Sequence, residues 1–491
     1  MSNAPQQITN AGLYLLPIVV GNLVPLITLP IFTRLLSAED FGAWALANAY
    51  AAVLGGLAAV GLPLTYDRNF FEHRDGPTRP QLLYSVIAFS LLSFALCGTA
   101  TWLFRAPITA WLIGEARYQS VLVMSFAATA VAGVKGYYFT YLKNTEQAGV
   151  HSAYTVGERL LSAVLTVALV AWAGIGVIGL VVGQLLATLV VVLAVGWRIG
   201  RSNPLGFNTS LLADALKLGL PLMPRVLFGV VGNNVDKYLI GQVASLGGVG
   251  IYSIGQRVAN IAFTYMTALQ NVFGPQVYGR MFSGDPGAGR SIGRYLTPFA
   301  FASTVLSFLI ALFSEEILTV LAPANFHGAA PITAILVLYY AIQFFAKMPQ
   351  ITYARKTYLL SLLAAMATLL NVTIGATGIW WLGTVGAAWG ALTAGLIVAI
   401  VTFKVAQRCF YIEWEYRKLT AIFGLLFASA FMTIAMRSMA PPYAVLLLVK
   451  LGAVAAFVWL GARLQILTVA NMLLVRDLVS RRLAPARTGT P

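Results

Sequence analysis

The sequence predicts an all-α integral membrane protein of about 14 transmembrane helices, and three observations predict it. Only 10% of the 491 residues are charged and 59% are hydrophobic, whereas a soluble domain is about 25% charged. The apolar residues fall in recurrent runs of about 20, the length that crosses a bilayer as a helix. Nothing alternates with the two-residue period of a barrel strand. The expected spans are about 11–32, 41–63, 81–104, 120–142, 153–174, 176–198, 218–241, 249–273, 294–313, 331–353, 358–380, 383–407, 418–437 and 443–463.

The first run has no Lys or Arg ahead of it and is too long for a signal-peptide core, so it is expected to be retained as a helix. Pro17, Pro25 and Pro30 in span one, and Pro221 and Pro224 in span seven, each remove a backbone hydrogen bond and can kink their helices. Such kinks suit either a rocking transporter or static packing. Spans five and six meet around Gly174 and Gly176, and spans eleven and twelve around Leu382 and Gly383, so both hairpins are tight. The connections 64–80 and 275–293 mix charge with Gly and Pro and read as surface loops. The Gly-rich piece from Ser283 to Gly293 lacks the GK[ST] ending of a nucleotide-binding loop. Glu315 and Glu316 are adjacent and point in different directions on a helix, so a solvated helix end is the better reading than an acid/base dyad. Cys97 and Cys409 imply no disulfide framework, and His73, His151 and His327 sit in separate connecting segments and argue for no metal site. The tail, 464–491, is expected to form a surface amphipathic helix followed by disorder.

A net charge of +16 would suggest nucleic acid in a soluble protein, but its distribution answers differently. Of the 32 Lys and Arg, 21 fall in the even-numbered connections and the tail, four in the odd-numbered ones and seven at membrane depth. That asymmetry predicts both termini on the cytoplasmic side of the membrane.

The chain also repeats itself. The stretch from Leu29 aligns without gaps at an offset of 208, placing Ser37 on Ser245, Gly42 on Gly250, Trp44 on Tyr252 and Asn48 on Gln256. Two pseudo-symmetric six-helix halves follow, 1–210 and 211–412, related by an axis along the membrane normal. Helices 13 and 14 occupy 413–463 and the cytoplasmic tail 464–491. Transporters built this way hold their substrate site between the halves.

Polar residues at membrane depth concentrate in 215–276. Arg225, Gly229, Gly232 and Asp236 are spaced 4, 3, 4, and Ser253, Arg257, Asn260, Thr264, Thr267 and Asn271 are spaced 4, 3, 4, 3, 4, each set on one helix face. A charged side chain facing lipid costs roughly 2.5–3.5 kcal/mol on insertion scales, so these faces point at protein or water. The neutral members also fit helix–helix hydrogen bonding; the arginines favour a hydrated, positively charged cavity. The run Gly219-Leu220-Pro221-Leu222-Met223-Pro224, then Asp236-Lys237-Tyr238, then Gly250-Ile251-Tyr252-Ser253 resembles the polysaccharide-unit (Wzx-type) flippases. These belong to the multidrug/oligosaccharidyl-lipid/polysaccharide exporter superfamily.

The resemblance implies a non-enzymatic transporter of the bacterial inner membrane, with a central cavity and two additional C-terminal helices. Its substrate would be an undecaprenyl-diphosphate-linked oligosaccharide repeat unit for cell-surface polysaccharide or O-antigen, moved by alternating access. It implies membrane lipids as surroundings, a polymerase and glycosyltransferases as partners, and no cofactor beyond a coupling ion, H⁺ or Na⁺. Arg257, about nine residues into its helix, is the expected phosphate or acidic-sugar contact, because a guanidinium matches phosphate oxygens. Arg225, Lys237 and Arg159 come next, Asn260 shares the Arg257 face, and Lys135 and Lys347 line the inner approach. Snorkelling toward the interface competes with a cavity role, most of all for Lys347 and Lys404.

Related precursor flippases carry cavity arginines on their first two helices; this chain has Asn22, Thr28 and Asn48 there, with Arg34 at the outer end. Three readings of Asp236 stay open: an outer gate paired with Arg34, a proton or Na⁺ site, or a local pair with Lys237. Glu158 reads as an inner-end salt bridge, and Lys450, eight residues into the last helix, has no assigned role. A cation-coupled drug antiporter of the same superfamily would want an acidic cavity. A membrane glycosyltransferase or polymerase would place acidic or metal-binding residues in a large outer loop, and the longest here is about 17 residues.

Overall fold

The computed structural model describes residues 4–72, 78–203, 205–346, 349–439 and 442–466. Among them there is no strand, and eleven helices are long and apolar enough to cross a membrane. The helices are, in order, α1 (Ala4–Leu35), α2 (Ala38–Ala59), α3 (Leu62–Glu72), α4 (Thr78–Leu103), α5 (Arg105–Leu112), α6 (Gln119–Asn144), α7 (Ala148–Val167), α8 (Val177–Ser202), α9 (Thr209–Gly232), α10 (Val235–Val243) and α11 (Leu246–Met281). There follow α12 (Ala288–Leu312), α13 (Ser314–Leu321), α14 (Ala329–Ala346), α15 (Gln350–Tyr353), α16 (Thr357–Cys409), α17 (Tyr416–Met439) and α18 (Tyr443–Arg463). The long α16 is two spans that fold back at Gly383 (φ 60°, ψ −143°). With that hairpin, α1 and the polar-striped α11, the architecture agrees with about 14 spans. The described chain divides into two compact units, one ending at Gly250 and the other beginning at Ile251. The expected tail helix falls beyond residue 466, outside the described residues.

In the first unit the internal repeat becomes geometry. Ser37 caps α2: its Oγ accepts the Asp40 N–H at 3.1 Å, and the Asp40 carboxylate accepts the Ser37 N–H at 3.1 Å, a capping box. At the repeat-equivalent place, Ser245 Oγ accepts the Gly248 N–H at 2.9 Å, and α11 starts at the next residue. Gly42 lies against the Leu246 carbonyl and Gly250 against the Ala38 carbonyl, a reciprocal contact in which each residue is exchanged for its repeat equivalent. A Cβ at either glycine would collide with backbone, so only glycine permits the approach. Replacing Ser37 by Ala should therefore cost about 1 kcal/mol of stability, the usual worth of an N-cap, read as a lowered melting temperature of the purified protein in detergent.

The connection after α2 departs from expectation. Residues 64–72 belong to helix α3, entered through Val60 (φ 50°) and Gly61 (φ 71°), and not to a surface loop. Leu62, Tyr66 and Phe70 recur every four residues and are all buried. Tyr66 meets Tyr137 edge-on at 5.7 Å and Phe70 meets Tyr141 at 5.8 Å, so α3 is held to α6 by aromatic pairs. Likewise α11 runs on to Met281, through the first part of the second expected loop. The α7–α8 hairpin forms as expected, after a π-helical turn over Ala168–Trp172, with Gly174 and Gly176 at φ 63° and 64°.

The second unit is built around α14, apolar on all sides and therefore interior; twelve of its 18 residues are buried. The two arms of α16 close on each other through glycine, Gly378 against Gly386 and Gly375 against Gly390, the small-residue packing that lets membrane helices touch backbone to backbone. The chain between α16 and α17 is pinned to α12 by Arg290 Nε donating to Glu413 at 2.9 Å. That hydrogen bond holds the Glu413 carboxyl below its usual range, so the link persists at neutral pH and is lost as pH falls through the depressed value.

The last helix is docked by chemistry the sequence reading did not assign. Phe457 of α18 stacks on Phe308 at 4.4 Å and Phe301 at 5.1 Å, both in α12. Lys450 is 1% exposed, and its Nζ donates to both carboxylate oxygens of Glu316 at 2.7 Å. The acidic pair at the start of α13 is thus not a solvated helix end: Glu316 is the counter-ion of Lys450.

Candidate functional site

Three polar features lie at membrane depth, each within one unit. The first is a break in the seventh span. The sequence pattern reads as one helix over 218–241, but the helical path stops at Gly232 and resumes at Val235, across Asn233 and Asn234. Asparagine competes for backbone hydrogen bonds and favours such breaks. Asn234 Nδ2 donates to the Val230 carbonyl at 2.9 Å, and Lys237 Nζ donates to Asn234 Oδ1 at 3.3 Å. Asp236 stands in the first turn of α10, where a helix N-terminus favours negative charge, and accepts the Lys237 backbone N–H at 2.9 Å. The 4, 3, 4 face of Arg225, Gly229, Gly232 and Asp236 is therefore shared between two helices instead of running along one. The Arg225 side chain, and Lys347 altogether, lie outside the described residues.

The expected gate pair is not formed in this conformation. Arg34 is exposed and turns back on its own helix, its Nη1 donating to the Pro30 carbonyl at 2.8 Å. Arg159 is exposed and has no ion-pair partner among the described residues.

The second feature joins α6, α7 and α8. Lys135 Nζ donates to both oxygens of Glu158 at 2.6 and 2.8 Å, and Thr188 Oγ1 donates to Glu158 Oε1 at 2.9 Å. Lys135 is thus neutralised locally, which removes it from a ring of uncompensated cations. Glu158 forms a salt bridge, as expected, with Lys135 as the partner. Thr188 was not anticipated; its signal is a hydroxyl one turn after Gln184 in a run that is otherwise apolar from Val177 to Trp197. The lysine side chain is 19% and the carboxylate side chain 8% exposed. Glu158→Gln should cost about 1–3 kcal/mol by stranding an amine that keeps some access to water. Glu158→Gln with Lys135→Met should recover most of it, read from melting temperatures.

The third feature is the polar face of α11 in the second unit. Val258, Ala262, Met266, Phe273 and Val277 are buried and form the core side of the helix. Asn260, Thr264 and Asn271 lie across the helix from that side, and Asn260 and Asn271 are exposed. Arg257, on the same face, and Thr267, at its edge, are half-buried, and Ser253 is buried at the start of the stripe. Thr264 and Thr267 donate to the carbonyls four residues back, at 3.0 and 2.9 Å, so their hydroxyls are satisfied without a partner helix. The result is a polar surface that carries a half-buried guanidinium and exposes two amides. It can hydrogen-bond hydroxyl-rich and anionic groups, and no apolar side chain covers Asn260 or Asn271.

Against this geometry, comparison with known proteins is consistent. A sequence profile for a family described as "Polysaccharide biosynthesis protein" matches residues 8–278. No curated protein sequence matches the chain. Among solved structures, one described as "Lipid II flippase MurJ, inward closed conformation" aligns with a TM-score of 0.72 at 12% identity, over 94% of this chain and 100% of that one. An inward-facing multidrug resistance MATE family transporter of the MOP superfamily aligns with a TM-score of 0.59 at 15% identity, over 84% of this chain and 98% of that one. A MOP superfamily transporter from Pyrococcus furiosus, described as having a binding pocket of reverse polarity, aligns at 0.53 and 15% identity, over 83% and 96%. At these identities the likeness is one of fold.

Proposed function

Because the chain belongs to the polysaccharide biosynthesis protein family, we propose that it is a flippase for a lipid-linked oligosaccharide. In this reading the cargo is an undecaprenyl-diphosphate-linked repeat unit, carried from the cytoplasmic to the outer leaflet of the bacterial inner membrane. Both chain termini lie in the cytoplasm, and alternating access moves the headgroup while the polyprenyl tail stays in lipid. No covalent step and no cofactor are required; a proton or Na⁺ couples the cycle, with Asp236 as its site.

The observation that carries the reading is the open polar face of α11. A diphosphate-sugar needs replacements for the water it leaves behind, and Arg257 with Asn260 and Asn271 supplies a cation and amides on one helix at membrane depth. Arg257 is the leading phosphate contact, followed by Arg225, Lys237 and Arg159. An antiporter for cationic drugs would need carboxylates there, and this face has none.

The test is transport in proteoliposomes. Purified protein should move a polyprenyl-diphosphate-linked oligosaccharide with a fluorescent sugar between leaflets, measured as protein-dependent access of a membrane-impermeant quencher. Movement of lipophilic cations with no movement of the lipid-linked sugar would overturn the assignment.

A further inference from the structure

Outside the polar features, the first unit carries an apolar groove of about 750 Å³ bounded by α4, α6 and α8. It runs from Ile87 to Trp102 along α4 and from Val123 to Tyr138 along α6. At 1.5 Å per residue, each edge is about 22 Å long. A bilayer's hydrocarbon is about 30 Å thick, so the chain of a single-leaflet lipid reaches only about 15 Å. The groove is therefore longer than a leaflet. Its floor is aromatic: Phe94 lies over Gly133, where a Cβ would meet the ring at 2.7 Å, and packs against Phe126 at 6.4 Å.

A guanidinium lies on a tryptophan one turn past the α8 lining and again beside Trp102 at the far end of the α4 lining. On α8, Leu189 and Leu193 line the groove, and the same four-residue stripe continues to Trp197 and Arg201, both exposed. The Arg201 guanidinium sits over the Trp197 ring at 4.3 Å. At the other end, Trp102 lines the groove, and Arg105 sits over its ring at 4.9 Å. Neither arginine has a carboxylate partner among the described residues. Trp marks the lipid–water boundary, and Arg matches phosphate oxygens, so both ends of an apolar trough offer an anion contact at headgroup depth.

We propose that this groove binds a polyprenyl phosphate whose chain is longer than one leaflet, with its phosphate on Arg201 at the mouth where α8 ends. Arg105 offers the matching contact at the opposite mouth. The inference rests on the lipid-linked substrate assigned above and names where that lipid's tail is held. An ordinary phospholipid is too short to fill the length.

Photo-crosslinking in nanodiscs tests it. The wild-type protein, in phosphatidylethanolamine–phosphatidylglycerol discs, receives a long-chain polyprenyl phosphate carrying a diazirine, and labelled peptides are mapped. The expected label falls on α4, α6 and α8 and is displaced by unlabelled polyprenyl phosphate but not by excess phosphatidylglycerol. Gly98→Phe and Ala130→Phe, which fill the trough, should lower labelling about tenfold. Arg201→Gln, a change on an exposed surface that leaves the fold intact, should lower it about two- to fivefold. Equal displacement by phosphatidylglycerol, labelling elsewhere only, or undiminished labelling of Arg201→Gln would overturn the proposal. Groove labelling by a protein that moves no lipid-linked sugar would refute the transport reading while upholding the groove. Transport without groove labelling would refute the groove alone.

Discussion

An Arg257→Ala protein should insert at the wild-type level and lose transfer of the lipid-linked sugar by about 30-fold or more. The magnitude follows from the chemistry of the contact. Removing one partner of a desolvated, charge-assisted hydrogen bond costs about 2–5 kcal/mol, and each 1.4 kcal/mol is tenfold. Arg257 sits beside the exposed amides of Asn260 and Asn271, away from the buried Val258, Ala262 and Met266 side of α11, so truncation leaves the core of the second unit in place. Arg257→Lys should recover part of the activity, since an ammonium keeps the charge but lacks the planar fork. The measurement is quencher access in proteoliposomes, beside melting temperature and membrane abundance. Wild-type transfer rates in Arg257→Ala would remove α11 from the substrate path.

The second large effect concerns stability. Glu316→Leu should destabilise the protein by about 3–5 kcal/mol, the cost of leaving one member of a buried ion pair without its partner. Lys450→Met should cost less, because the Glu316 side chain is 23% exposed and the Lys450 side chain only 1%; the carboxylate can draw on water and the ammonium cannot. The double variant should return to within about 1 kcal/mol of wild type, because an apolar pair of similar size replaces both charges. Denaturation midpoints in detergent for all four proteins complete the cycle. If transport simply follows stability through the series, Lys450 fastens α18 and does nothing more. A stable but inactive double variant would instead give the pair a part in the transport cycle.

The features that were legible in the sequence are those written in local pattern. The Ser37–Gly42 and Ser245–Gly250 match at an offset of 208 announced two equivalent helix starts, and both form. The hairpins at Gly174–Gly176 and Gly383 were visible because only glycine tolerates a positive φ there at little cost. Helix α3 was missed because Asp67, Arg68 and Glu72 gave its stretch the composition of a loop, although Leu62, Tyr66 and Phe70 kept a helical period. The break before α10 was hidden by hydropathy, which is blind to Asn233 and Asn234 as long as their neighbours are apolar. Of the polar residues in the three features, those of the α11 stripe keep their helical spacing because one uninterrupted helix carries them, with Ser253 buried and Asn260 and Asn271 exposed. The partners of Lys135 and Lys450 were not legible, because Glu158 and Glu316 reach them from 23 and 134 residues away and charge alone does not say which carboxylate will arrive.

The twin helix starts have a practical consequence for anyone dissecting this molecule. Ser37 and Ser245 perform one task in two settings, as do Gly42 and Gly250, so every substitution in one has a built-in control in the other. Where paired lesions cost the same, the residue serves architecture inherited by both copies. Where they differ, the difference isolates what each setting asks of its residue, and shows which of the two helix starts carries work of its own.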